Sequence, residues 1–318
     1  MGVDMTKQTR WGLRRLAGLA LPALLVGVIT GCDLDSFLDI EDPEVVSPGG
    51  VQDPSALPVV YRGVIRDFTW AYSGTGSIGG GGDHDSHIML SGLFTDELQH
   101  TGTFPTRRLI DRRAIQSTGE HGTADNGTIS DAYRNLHKAR RAAEQAEELY
   151  AAADAGPSSD RSVVSSIEGF TYILFGELYC EGVPYSSRSI DGATVTFGTP
   201  STRQETFNRA ITAFDRAKEH IDPLIASAEQ AIAEANQAIA DAEDDDERKE
   251  AEADKQAAEK AKAAAESIQY LARVGKARAL LNLGDAQAAA AEVSVVPEEW
   301  EFAIEHSANS SGENNGVW

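Results

Sequence analysis

Apolar residues in this chain recur at intervals of three and four in one stretch after another, and that spacing commits most of it to amphipathic helix. Leu57, Val60, Tyr61, Val64 and Phe68 form a first stripe. Asp53 and Pro54 stand just before it: an acceptor for the free donors of a helix start, then the residue best tolerated at the first helical position. This helix is predicted to end near Tyr72. Ile88, Leu90, Leu93, Phe94 and Leu98 predict a second helix over 87–100, and Tyr133, Leu136, Ala139, Ala143, Ala146 and Tyr150 make one face of a third over 129–153. An apolar helix follows from Val163 to Tyr179, bounded by Pro184. Thr202 and Glu205 then have capping-box spacing, in which each side chain satisfies a free backbone donor of the other. Phe207, Ala210, Ile211, Phe214, Ala217 and Ile221 line the helix that it opens. The expectation is an all-α protein.

Residues 227–267 differ in composition, with Ala, Glu, Asp and Lys dominant. Ala228, Ile232, Ala235, Ile239 and Ala242 keep helical spacing, and the alanine pattern resumes at Ala251 after the acids Asp244 to Glu247. We read an inserted helical hairpin with an acidic, solvated tip. A calcium loop there lacks the alternating acids and the central glycine. From Gly275 to Pro297, the placement of Gly275, Leu283-Gly284-Asp285, Ala289 and Pro297 is close to that of a tetratricopeptide repeat. Gly284 suits a tight turn between helices, and the alanines allow close approach. The expected architecture is a tetratricopeptide-like superhelix with irregular loops, stacked without being a regular array.

The amino-terminal residues set the compartment. Lys7, Arg10, Arg14 and Arg15 precede an apolar run from Leu16 to Ile29, which ends in Ile29-Thr30-Gly31-Cys32. The run is too short to span a bilayer stably and contains Pro22, so it reads as a removable lipoprotein signal with Cys32 as the lipidated residue. The expected organisation is a signal over 1–31, an acidic tether over 32–52 and a helical domain over 53–318. The formal charge of the chain is -22, and loss of the basic leader makes it more acidic still. Such a surface repels nucleic acid, whose non-specific binding depends on Lys and Arg. With Cys32 acylated, Cys180 is left without a disulfide partner, so stability must come from a packed core. Cys180 follows an apolar helix and is expected to be a buried packing thiol.

Candidate chemistry is sparse. Gly74-Thr-Gly76-Ser-Ile-Gly79 spells a dinucleotide fingerprint, but a helix and not a strand is predicted before it, so no cofactor is expected. Asp83-His84-Asp85-Ser86-His87 offers two imidazoles and two carboxylates. A helix N-cap at Asp83 or Asp85 explains it more simply than a metal site, which needs further ligands. Trp70, Tyr72, Tyr185, Phe197, Trp300 and Phe302 fall in or beside predicted loops and helix ends. Aromatic faces of this kind stack on sugar rings, although packing of loops onto helices is the alternative for each.

The ordered blocks Cys32-Asp-Leu-Asp, Leu38-Asp-Ile-Glu-Asp-Pro, Leu57-Pro-Val-Val-Tyr-Arg-Gly-Val and Leu93-Phe-Thr-Asp-Glu-Leu resemble those of SusD/RagB-type outer-membrane nutrient-binding lipoproteins. So do Phe104-Pro-Thr-Arg, Ile110-Asp-Arg-Arg, Tyr133-Arg-Asn-Leu-His-Lys-Ala-Arg, Phe175-Gly-Glu-Leu-Tyr-Cys-Glu and Ala277-Arg-Ala-Leu-Leu-Asn-Leu-Gly-Asp. The resemblance implies a non-catalytic protein held at the outer membrane, on the cell surface, by the lipid on Cys32. It would capture an oligosaccharide or peptide and pass it to a TonB-dependent barrel, with Trp70, Tyr72, Tyr185 and Trp300 as candidate ligand contacts. Two features depart from the family: the long 227–267 segment, and an end at Trp318 where a further loop-rich and helical portion is expected. The helix pairs also fit a tetratricopeptide-type adaptor lipoprotein in envelope assembly.

Overall fold

The computed structural model describes residues 53–75, 85–116, 118, 126–307, 309 and 315. All belong to the second of two compact units, Pro48–Trp318. The leader, Cys32 and the tether therefore lie outside the described residues, as do Asp83 and His84. The described chain is all-α: eight α-helices, one short 3-10 turn and two small two-stranded ladders.

The first helix starts as the sequence predicts. Asp53 accepts from Ser55 N at 2.8 Å, Pro54–Ala56 forms a 3-10 turn, and α1 runs Leu57–Ser73, closed by Gly74 at φ 74°. The second helix is shorter than expected. α2 covers His87–Phe94, because Asp96 adopts a left-handed φ of 64° and turns the chain back. Leu98 N then donates to Gly92 O, and the Leu98 side chain fills the space that a β-carbon on Gly92 would take. Its cap is Ser86, whose Oγ accepts from Met89 N, and neither Asp83 nor Asp85. A helix that the sequence reading lacked, α3, spans Pro105–Asp111 with Pro105 in its first turn.

α4 (Gly127–Ala152) buries Leu136, Ala139, Ala143, Ala146 and Tyr150 on the expected face. α5 (Ser159–Leu178) is the central helix: it packs against α1, α4 and the two long helices that follow, and nearly every residue from Ser162 to Gly176 is buried. Cys180 corrects the sequence reading. α5 stops at Leu178, Tyr179 turns inward, and Cys180 takes a left-handed φ of 59° that leaves it exposed.

Between α5 and the next helix, β1 (Val183–Pro184) pairs antiparallel with β4 (Pro200–Ser201), and β2 (Ser187–Arg188) with β3 (Val195–Thr196). α4 holds this flap down: Arg140 donates to Ser186 O at 2.7 Å and Arg141 donates to Arg188 O.

The capping box at Thr202 and Glu205 is present and opens α6 (Arg203–Asp241). α6 passes through Pro223 unbroken, so the stripe at 207–221 and the alanine-rich segment belong to one helix. Asp244 caps α7 (Asp245–Asn282), which packs along α6 as a hairpin. Phe207, Phe214, Ile221, Ala228 and Ala235 recur every seventh residue on α6, as do Ala251, Ala258, Ala265, Ala272 and Ala279 on α7, and all are buried. That repeat is the seam of a coiled coil with alanine in place of larger knobs. At its base the seam meets α5. Phe207 and Phe214 enter spaces left by glycine, where a β-carbon on Gly176 or Gly169 would lie 2.6 Å from a ring atom and one on Gly275 would overlap the Phe214 ring. Gly284, at φ 87°, makes the expected turn into α8 (Ala286–Val293). With 39 and 38 residues in α6 and α7 against eight in α8, the pairs do not form a regular array.

Candidate functional site

Where α1, α5 and α7 diverge they leave a trough, and the chain after α8 crosses it as a strap without regular secondary structure over residues 300–307. The strap has definite fastenings. Trp300 Nε1 donates to Ser267 Oγ at 3.0 Å and its ring meets Tyr270 edge-on; His306 Nε2 lies 2.9 Å from Ser73 Oγ; Asn315 bridges Thr75. Beneath it is a cavity of about 650 Å³, within the usual range for a small-molecule site.

The helical walls of this cavity follow from the stripes. Ile65, Phe68, Thr69 and Tyr72 come from α1, Ile167, Phe170, Ile173 and Leu174 from α5, and Leu271, Val274 and Arg278 from α7. Ile88 of α2 also lines it, and the strap supplies Trp300, Phe302 and Ile304. Tyr72 stacks nearly parallel on Phe68, with ring centroids 5.8 Å apart. The cationic group of Arg278 is already engaged, with Nε and a terminal nitrogen donating to the Glu177 carboxylate at 2.9 and 2.6 Å.

The structure thus brings two of the four predicted contacts, Tyr72 and Trp300, into one cavity, together with Phe302. The other two lie outside its lining. Trp70 faces Arg66 and Lys138, whose charges sit 4.8 and 5.3 Å from its ring. Tyr185 packs edge-on against Tyr172 and Phe175, shares a hydrogen bond with Thr206 at 2.9 Å, and pins the β-ladder flap to the core. Phe197, directly after β3, is 84% exposed.

His87 has a structural part. Its Nδ1–H donates to Ala71 O at 2.8 Å, which leaves Nε2 to accept from the Tyr179 hydroxyl at 3.0 Å. Burial lowers its pKa, against the opposing effect of the hydrogen bond to Ala71. Asp85 is paired with Arg107 at 2.9 Å. Both ring nitrogens of His87 and Oδ1 of Asp85 are thus engaged within the fold.

One polar cluster was not anticipated. Glu147 of α4 accepts from Ser165 at 2.7 Å and from Arg161 at 3.1 Å, with His220 at 3.4 Å and Arg216 at 3.8 Å. Burial pushes its carboxyl up, but the contacts with His220, Ser165 and Arg216 outweigh this and hold it below its ordinary value. Glu168 also pairs with Arg216, yet burial dominates and, with Glu144 and Glu147 nearby, carries it to about 7. The signal in the sequence is the run of Ser162, Ser165, Ser166 and Glu168 inside an otherwise apolar helix, since buried polar groups require partners. The cluster joins α4, α5 and α6 and contributes no residue to the cavity lining.

The chain matches no protein-family model, no curated protein and no solved structure.

Proposed function

We propose that this protein is a non-catalytic nutrient-capture lipoprotein of the SusD/RagB type, anchored through Cys32 in the outer membrane, with the cavity under the strap as its ligand site. It hands the captured molecule to a TonB-dependent barrel. The observation that carries this reading is the meeting of Tyr72 of α1 with Trp300 and Phe302 of the strap in one cavity, on a helical body that follows the expected lipoprotein signal. A capture protein needs a preformed concave site with aromatic walls and few convergent polar groups, and a lipid tether keeps it at the transporter. Labelled palmitate should enter the parent and not Cys32→Ala, and affinity purification from detergent-solubilised membranes should recover a large barrel with a plug domain. Absence of acylation on Cys32 refutes the anchor.

A second reading has its own support. The long α6/α7 hairpin, with a charged exterior and a thin alanine seam, suits a tetratricopeptide-type adaptor that holds a partner during envelope assembly. Recovery of assembly factors without a barrel in the same purification supports the adaptor and overturns the capture reading.

A further inference from the structure

The cavity walls select a chemical class. On the helical side, Ile65, Ile167, Ile173, Leu174, Leu271 and Val274 present aliphatic surface, while Ser73 is engaged with Thr69 O and His306 and Arg278 with Glu177, so that Thr69 and Tyr72 supply the remaining hydroxyls of the helical walls. A sugar placed here would leave most of its hydroxyl groups without partners, and each unmet group loses its hydration. Methylene groups, by contrast, gain from every apolar contact, and cavities lined in this way accept apolar guests. The strap carries a second selection. Glu301 and Glu305 flank the cavity on exposed backbone, while the nearest cation, Arg278, is already neutralised. An anionic head group meets repulsion at this rim, whereas an uncharged one does not.

We propose that the cavity beneath the strap binds an apolar ligand with an uncharged polar end, of the acylglycerol class, in preference to a glycan. This rests on the reading of the cavity as the ligand site, though it does not depend on the barrel or on transfer. Val274 on α7 and Ile304 on the strap both line the cavity, so that Val274→Trp or Ile304→Trp would fill it from either wall.

The test is Nile red fluorescence with the full chain, titrated with monolaurin, laurate and maltohexaose. Parent and variants carry the same residues 1–52, so the difference between them reports on the cavity alone. The expected result is dye bound by the parent and displaced by monolaurin, more weakly by laurate and not by maltohexaose. Affinity should fall about tenfold or more in the filled variants, whose folding is checked by thermal melting in circular dichroism. If Val274→Trp does not fold, Ile304→Trp replaces it. Displacement by maltohexaose but not by monolaurin overturns the apolar assignment and leaves nutrient capture standing. Monolaurin binding of equal strength in parent and filled variants, or no displacement by any of the three, overturns the proposal itself.

Discussion

Glu168 and His137 give the fold two opposed responses to pH. Burial raises Glu168 to about 7 from an ordinary value of 4.5, so between those limits the folded state binds more protons than the unfolded state. Its stabilising contribution is complete below pH 4.5 and is lost as pH rises through 7. His137 is wedged between Tyr133 and Phe175, and burial, reinforced by Arg140, lowers it from 6.5 to about 4. Its contribution is complete above pH 6.5 and is lost as pH falls toward 4. Urea unfolding across pH 4.5–7 should therefore show Glu168→Gln gaining on the parent as pH rises, and His137→Asn gaining on it as pH falls. Each difference should be on the order of 1–3 kcal/mol over the window. A pH-independent offset in either variant would show that the group does not titrate differently on folding. The sequence signals only that Glu168, an acid beside serines in an otherwise apolar helix, needs partners, and His137 is one imidazole on an amphipathic helix. Burial decides both, modified by Arg216, Glu144 and Glu147 from other helices in the case of Glu168 and by Arg140 of the same helix in the case of His137.

At the scale of the element, local chemistry was readable wherever it is local in origin. Asp53 before Pro54, Thr202 with Glu205, and Gly284 each act within a few residues, and each acts as the sequence predicts. Errors came where tertiary contacts intervene. Periodicity carried α2 on to Leu98, whereas Leu98 folds back onto Gly92 through a left-handed Asp96. Cys180 was assigned to the core by its apolar neighbours, but α5 ends before it and Tyr179 takes the inward position. In the site, aromatic composition pointed to Tyr72 and Trp300 and equally to Tyr185, because only the fold distinguishes a ring facing a cavity from one sealed against Phe175. Helix packing at the α5–α6–α7 junction depends on residues with no side chain. A methyl group at Gly275 meets the Phe214 ring, so Gly275→Ala should cost about 1–3 kcal/mol through overpacking, despite its better helix propensity. The check is the urea midpoint: an unchanged or higher midpoint would mean that the ring relocates freely.

At the scale of the whole molecule, the core lies where α1, α4, α5 and the proximal parts of α6 and α7 meet, and the far part of the hairpin buries only seam alanines. The two are energetically unequal, since alanine burial contributes little per residue compared with Phe207, Phe214 or Ile221. Deleting 229–242 together with 245–258 removes two heptads from each arm and keeps the seam in phase. The shortened protein should melt cooperatively within a few degrees of the parent, with its far-ultraviolet helical signal reduced in proportion. A collapse in melting temperature would place structural weight in the distal arms. Composition had marked 227–267 as an insertion, but the helices that carry it begin well inside the core, so the boundary is one of packing and not of chain direction. The alanine seam, finally, is nearly self-similar: if one arm slid past the other by two turns, alanine would again face alanine. The aromatic wedges seated at glycine near the base have no such equivalent position. They act as the pawl of a ratchet, and the whole length of the hairpin takes its alignment from a few atoms at one end.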